Sequence, residues 1–306
     1  MKYIVFIFMV FVAIGTMGQE KKKPIYYFNP NWSPDGNKIV FESTRDGKSS
    51  IYTIQTDGSN LRRLTNAETE NGQPRWSPNG KKIVFYSQID GQVQLFLMKS
   101  DGSAQKKLTN INNLNYLPDF SPKGDYVAFQ SCPEPSLIAY DIYIIRTNGS
   151  DSIRLTDGKN GYYSPKWSPN GKKIVFVRAV VPKRYYREMT RDEAKKMHLS
   201  EDIFTMDKDG TNLKNLTNNE INDTNPHWSK NGKTIYFMSE RDGSPNVYAM
   251  NPDGMNVRKI ADGKIVTDTS ISPDETFFVY SKEASGKWGI YIYEIKSGKE
   301  RLLIEN

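Results

Sequence analysis

The side chains that could carry chemistry are few. His198 and His227 are the only histidines in the chain, so a three-histidine metal site is ruled out. Cys132 is the single cysteine; it can form no intrachain disulfide, and its residue type favours a small buried hydrophobe over a nucleophile. No GxSxG elbow, HExxH pair, Walker loop or GxGxxG stretch occurs. Acid–base work is therefore left to paired carboxylates, for which Asp223 and Asp268 are candidates. Recurrent Asp-Gly pairs, such as DKDG at 207–210, mimic half of a calcium loop, but their fixed place in a repeat fits hairpin turns better. No cofactor is expected, and a structural calcium is the one ion these turns leave open.

Binding chemistry has two candidate groups. Glu70, Asn71, Asn115, Tyr116, Tyr162, Tyr163, Asp223, Thr224 and Asp268, with Thr267, stand a few residues before a recurrent aromatic position. Their Tyr and Asn side chains either stack on a sugar or grip a peptide, or simply close gaps and cap turns. The second group, Arg184, Tyr185, Tyr186 and Arg187 in the stretch KRYYR, combines residue types that anchor interfaces. It lies either in a tolerated surface insertion or in a contact loop.

The elements that would position these residues come from a repeat. The place of Trp32 is taken again by Trp76, Phe120, Trp167, Trp228 and Ile271, each followed nine residues later by Phe41, Phe85, Phe129, Phe176, Phe237 and Tyr280. Ile51, Leu95, Ile142, Ile203, Val247 and Ile290 come next, and Leu64, Leu108, Leu155, Leu216, Ile260 and Leu303 follow them by 13 residues. Six units of this length match a propeller blade. Turn signals such as Pro34–Gly36 and Asp57-Gly58 cut each unit into four short strands with alternating apolar residues. A lone sheet with two apolar faces cannot hide them, whereas blades stacked around an axis can. The expected fold is all-β, a six-bladed β-propeller of four-stranded antiparallel blades, with repeats near 29–66, 73–110, 117–156, 164–217, 225–261 and 268–304.

In such blades the first and third turns share one end, and the second turn and the link to the next blade share the other. The interval spanning the second turn runs 10, 10, 13, 27, 10 and 10 residues through the units. The long one, in blade four, carries KRYYR; Thr190 and Glu193 have capping-box spacing and predict a short helix there.

The segment NPNWSPDGNKIVFESTRDGKSSIYTIQTDGSNLRRLTN resembles the WD40-like repeat PD40 of the propeller domain of the periplasmic protein TolB and of many exported bacterial propellers. The similarity runs from about Pro24 to Asn306, with a degenerate sixth unit, ISPDETFFVYS, that lacks the Trp and the turn Gly. The resemblance implies a non-catalytic module that binds an envelope protein; the alternative it carries is a glycan-binding or glycan-degrading propeller, since some lyases and serine peptidases contain similar repeats. TolB itself has an α/β domain ahead of its propeller, for which this sequence leaves no room, so the Tol role does not follow.

Lys2, the apolar run Ile4–Ile14, and Thr16 and Gly18 together read as a signal peptide over 1–18, cleaved after Gly18, with a single propeller domain over 19–306. The run is far shorter than the ~20 residues that cross a bilayer, so no transmembrane segment is expected in the mature chain. A periplasmic or secreted location follows. The net charge of +7 is spread through every repeat and argues against a nucleic-acid partner.

Overall fold

The computed structural model describes residues 24–66, 68–111, 113–133, 140–180, 201–261 and 267–305, without the Thr267 and Asp268 side chains. The signal-peptide segment, the stretch Arg184–Arg187 and the helix expected from Thr190 all lie outside these residues. Numbered along the chain, 24 strands form six four-stranded sheets, each built from consecutive strands. Blade one contains β1 (Tyr27–Trp32), β2 (Lys38–Ser43), β3 (Ser50–Gln55) and β4 (Arg62–Arg63), paired antiparallel in that order. The first strands of the other blades are β5 (Glu70–Trp76), β9 (Asn113–Phe120), β13 (Gly161–Trp167), β17 (Asp223–Trp228) and β21 (Thr267–Ile271). Each packs on the first strand of the blades beside it, β21 against β1 included, so together they form the inner wall of a closed ring.

There is no single core. Six apolar clusters occur, one at each seam between neighbouring blades. The alternation in KIVF explains how: Ile39 and Phe41 face blade six, whereas Val40 faces blade two. The same logic repeats in blade two, where Ile83 and Phe85 look back and Val84 looks forward. Every second strand therefore glues two seams at once, and all six of these residues are at most 1% exposed. At roughly 1.5–3 kcal/mol per fully buried aliphatic or aromatic side chain, seam packing is the main source of stability in a chain without disulfides.

Local polar bonds fix the turns. In the first turn of blade one the Ser33 hydroxyl donates to Asp35 (2.6 Å) and accepts from the Lys38 N–H (2.9 Å). Just past the outer strand, where the link to the next blade begins, the threonine of the recurrent LT pair accepts an N–H from the early part of the third strand: Thr65 from Ile51, Thr109 from Leu95, Thr156 from Ile142 and Thr217 from Ile203, at 2.9–3.0 Å. The outer strands of the first four blades are two residues long and carry Arg62, Arg63, Lys106, Lys107, Arg154 and Lys214. Short, cationic edges deter strand addition from other chains, and they account for much of the dispersed positive charge.

Closure uses no shared strand. Blade six is complete in itself, ending at β24 (Glu300–Glu305), and seals against blade one through Tyr27, Trp32, Val279, Ile290 and Ile292. The Asn31 amide donates to the Ser270 hydroxyl (3.0 Å) and the Arg301 guanidinium to the Thr56 carbonyl (2.6 Å) across this seam.

Candidate functional site

The inner strands share an irregularity that decides what lines the channel. In blades one to five the residue before the strand's proline has positive φ: Asn29 (52°), Gln73 (52°), Leu117 (50°), Ser164 (55°) and Asn225 (54°). The pairing register shifts at this point in all six blades. A bulge of this kind re-aims the next side chains. The residue after the proline is Asn31, Arg75, Asp119, Lys166 and His227 in turn, with Ser270 in blade six.

Two pairs of neighbours among these six touch, Asn31 with Ser270 at 3.0 Å and Lys166 with Asp119. Lys166 Nζ lies 3.8 Å from Asp119 Oδ1, and Asp119 Oδ2 accepts the Trp167 N–H at 2.8 Å. His227 is half-buried, and burial, then the charges of Lys166 and Arg75, hold its imidazole well below the usual range. Arg75 belongs to blade two and His227 to blade five, which stand opposite each other. Both stand on inner strands, β5 and β17, of the ring wall. Burial raises the Asp119 carboxyl, an effect opposed by Lys166, the Trp167 N–H and Arg75.

The residues chosen from sequence at the link end are placed differently. The position five before the aromatic is Tyr27, Asn71, Asn115, Tyr162 and Asp223, and none is more than 3% exposed. Asn71 donates to the Thr69 carbonyl (2.8 Å) and Asn115 to the carbonyls of Val93 (3.1 Å) and Asn113 (3.0 Å), which ties the links down. The Tyr162 hydroxyl donates to Asp157 (2.8 Å), and Glu70 accepts the Ser49 N–H (2.8 Å). Asp223 is fully buried, accepting from Arg241 at 3.2 and 3.4 Å and from Asn219 at 2.9 Å. Asp268 lies in β21 with its side chain outside the described residues, so Asp223 is seen with Arg241 rather than with a second carboxylate.

Tyr116, Tyr163 and Thr224 are partly exposed. Tyr116 packs edge-on to Tyr86, with 5.3 Å between ring centroids. The Tyr163 hydroxyl donates to Glu201, whose carboxyl is raised by burial, lowered by this bond and raised again by Glu240. Glu201 opens β15 (Glu201–Asp207) and pairs with Ala179, the last residue of β14 (Lys173–Ala179). The long second turn of blade four thus departs and returns at one point, beside Tyr163.

Among the described residues no three His, Cys, Asp or Glu side chains gather as metal ligands. The aspartates of the recurrent third turns are occupied as caps, Asp57 accepting from the Ser59 N–H (2.8 Å), Asp101 from Ser103 (2.9 Å) and Asp209 from Thr211 (3.1 Å). A cavity of about 370 Å³ lies between blades one and two at the opposite end, lined by Pro34, Asp35, Trp76 and Asn79 among others. The channel ring was missed in the sequence. Its signal is the position that reads Asn, Arg, Asp, Lys and His between a constant proline and an aromatic in blades one to five, and Ser between Thr269 and Ile271 in blade six.

Fold and inner wall define a six-bladed β-propeller with a polar channel. The family model of the TolB beta propeller domain matches residues 7–201 and 192–306, and the chain belongs to this family, PD40. It is 42% identical over 41 residues to the Tol-Pal system protein TolB of Syntrophus aciditrophicus, a match covering 13% of this chain and 9% of that one. The crystal structure of TolB from Acinetobacter baumannii superposes with a TM-score of 0.67 at 18% identity, covering 90% of this chain and 62% of that one. The oligogalacturonate lyase of Vibrio parahaemolyticus superposes at 0.60 and 13% identity, covering 90% and 77%. The chain thus spans under two thirds of each of these two TolB proteins. Among the described residues no helix is long and apolar enough to cross a membrane.

Proposed function

We propose that this chain is an exported, non-catalytic propeller that binds a protein partner in the bacterial cell envelope, with the second-turn end of blade four as its docking face. The observation carrying this reading is the 27-residue interval between Phe176 and Ile203, the longest of the six, whose sequence contains Arg184, Tyr185, Tyr186 and Arg187. Family membership and the likeness to TolB proteins support the class of role. In this reading the buried Asn71, Asn115, Tyr162 and Asp223 support the scaffold, and Tyr116, Tyr163 and Thr224 contribute to a contact surface at the link end.

The test uses the chain from Gln19 as bait in envelope extract, beside a version lacking residues 181–200. Because Ala179 and Glu201 are already paired, a two-residue turn can rejoin β14 and β15 without moving the blade. Capture of a protein by the complete bait alone is the expected result; equal capture by both overturns the docking face. The second reading, a glycan-acting propeller, is favoured only by the lyase likeness. Turnover of an envelope polysaccharide or of a uronate polymer by the wild-type chain would replace the first reading with the second.

A further inference from the structure

We propose that blades four and five rest their first- and third-turn end against a membrane surface of anionic lipid headgroups. The four turns there form one continuous surface. In blade four the Lys208 N–H of the third turn donates to the Lys172 carbonyl of the first (3.0 Å). The two first turns touch, since a Cβ on Gly232 would stand 3.7 Å from Pro169 Cδ. The third turns are tied by the Lys214 ammonium, which donates to the Asp253 carbonyl (2.9 Å). Within residues 168–173, 208–214, 229–234 and 252–258, seven Lys or Arg face only two acids, Asp209 and Asp253. Two further acids reach the patch from its borders: Asp207 pairs with Lys173 at 2.6 Å, and Glu275 of blade six accepts the Lys230 N–H at 2.5 Å. Asp274, beside Glu275, is turned to its own Ser272 hydroxyl (2.6 Å) and Thr276 N–H (3.1 Å). Seven cations against four acids still leave the surface positive, and Lys172, Lys208, Lys230 and Lys233 are exposed without an ion-pair partner among the described residues.

The second observation is apolar. Met255, Leu213 and Val257, in the third turns of this patch, are 66%, 49% and 39% exposed. Three of the eight large hydrophobic side chains that the described residues leave exposed thus sit in these four turns, among the lysines. Aliphatic tips flanked by ammonium groups match the boundary between headgroups and acyl chains, where the tips leave water and the cations stay at the level of the phosphates. Each lysine held near an anionic lipid surface adds to the attraction, within the short reach that salt allows. An anionic polysaccharide would satisfy the lysines but leave Met255, Leu213 and Val257 in water, so the combination favours lipid. The patch lies at the opposite end of the ring from the second turn of blade four. It therefore goes beyond the protein-docking reading and does not depend on it.

The test is sedimentation of the chain from Gln19, which leaves out the apolar run at 4–14, with vesicles of phosphatidylglycerol and phosphatidylcholine in equal parts, beside vesicles of phosphatidylcholine alone. The expected result is binding to the anionic vesicles that weakens as salt rises and is at least about tenfold tighter than to the neutral ones. A Lys208→Gln, Lys233→Gln double variant should lose at least about tenfold of that affinity, and a Leu213→Ser, Met255→Ser double variant a comparable amount. Lys48→Gln, at the link end of blade one, should bind as wild type does, and so should the version lacking residues 181–200. All these side chains are on the surface, and matching Tm values confirm that each variant is folded. Equal binding to both kinds of vesicle, or none to either, overturns the proposal. Binding that the lysine variant loses but the Leu213 and Met255 variant keeps marks a face for soluble polyanions and overturns the lipid assignment.

Discussion

Replacing Asp223 by Asn separates a scaffold residue from a catalytic one. The carboxylate is fully buried and accepts from the Arg241 guanidinium at 3.2 and 3.4 Å and from Asn219 at 2.9 Å. Breaking a buried ion pair from one side costs about 3–5 kcal/mol, because the remaining charge is stranded. Here Arg241 keeps a side chain 22% exposed and lies over the Tyr248 ring at 4.7 Å, so part of its charge is rehydrated or stacked. Taking that into account, we expect Asp223→Asn to cost about 2–3 kcal/mol. For a chain of this size a loss of that order lowers Tm by about 4–6 °C. Calorimetry of wild type, Asp223→Asn, Arg241→Met and the double variant provides the measurement, and the double variant should recover part of the loss because it no longer strands a cation. A Tm within about 1 °C of wild type for Asp223→Asn would show that the pair stabilises nothing measurable.

Two further perturbations probe the channel and the seams. The folded state holds His227 neutral well below its ordinary 6.5, so the unfolded chain binds the extra proton as pH falls through that value, and stability present above it is lost below. Thermal unfolding followed from about pH 7.5 to 5 should decline less steeply in His227→Gln than in wild type; parallel curves refute the lowering of the His227 imidazole by burial and by the charges of Lys166 and Arg75. At the seams, Gly254 and Gly243 both have positive φ, 91° and 80°, but a Cβ on Gly254 would stand 2.6 Å from the Leu216 carbonyl oxygen whereas one on Gly243 meets nothing. Gly243→Ala should cost about 1 kcal/mol of backbone strain, and Gly254→Ala at least about 1 kcal/mol more through the clash with blade four; equal midpoints in urea would contradict this.

The blades were legible because a nine-residue spacing from Trp to Phe is two strands and a tight turn, and because Ile39, Val40 and Phe41 alternate with the pleat. The channel was not, for two physical reasons. Its residues stand some 44 positions apart, one per blade, so no local motif contains them. In addition, the bulge between Phe28 and Asn31, repeated in every inner strand, breaks the parity by which alternation assigns a face. The burial of the polar residues five positions before the aromatic was not legible either. Asn71 and Asn115 hold buried backbone carbonyls of the links and Asp223 holds the side chains of Arg241 and Asn219, so the same hydrogen-bonding types recur there.

A ring whose sheets are each made from neighbouring strands has no clasp. The junction between blades six and one is chemically of the same kind as the other five, apolar side chains pressed together with a few polar bonds beside them. The covalent ends of the chain are therefore incidental to the architecture. A circular permutant opened at any link, with a short peptide joining Glu305 to the start of β1, would contain the same six sheets and seams. Parting two blades anywhere would break packing without unpairing a strand. Such a ring can evolve by gaining or losing a whole unit, because no unit borrows backbone from another.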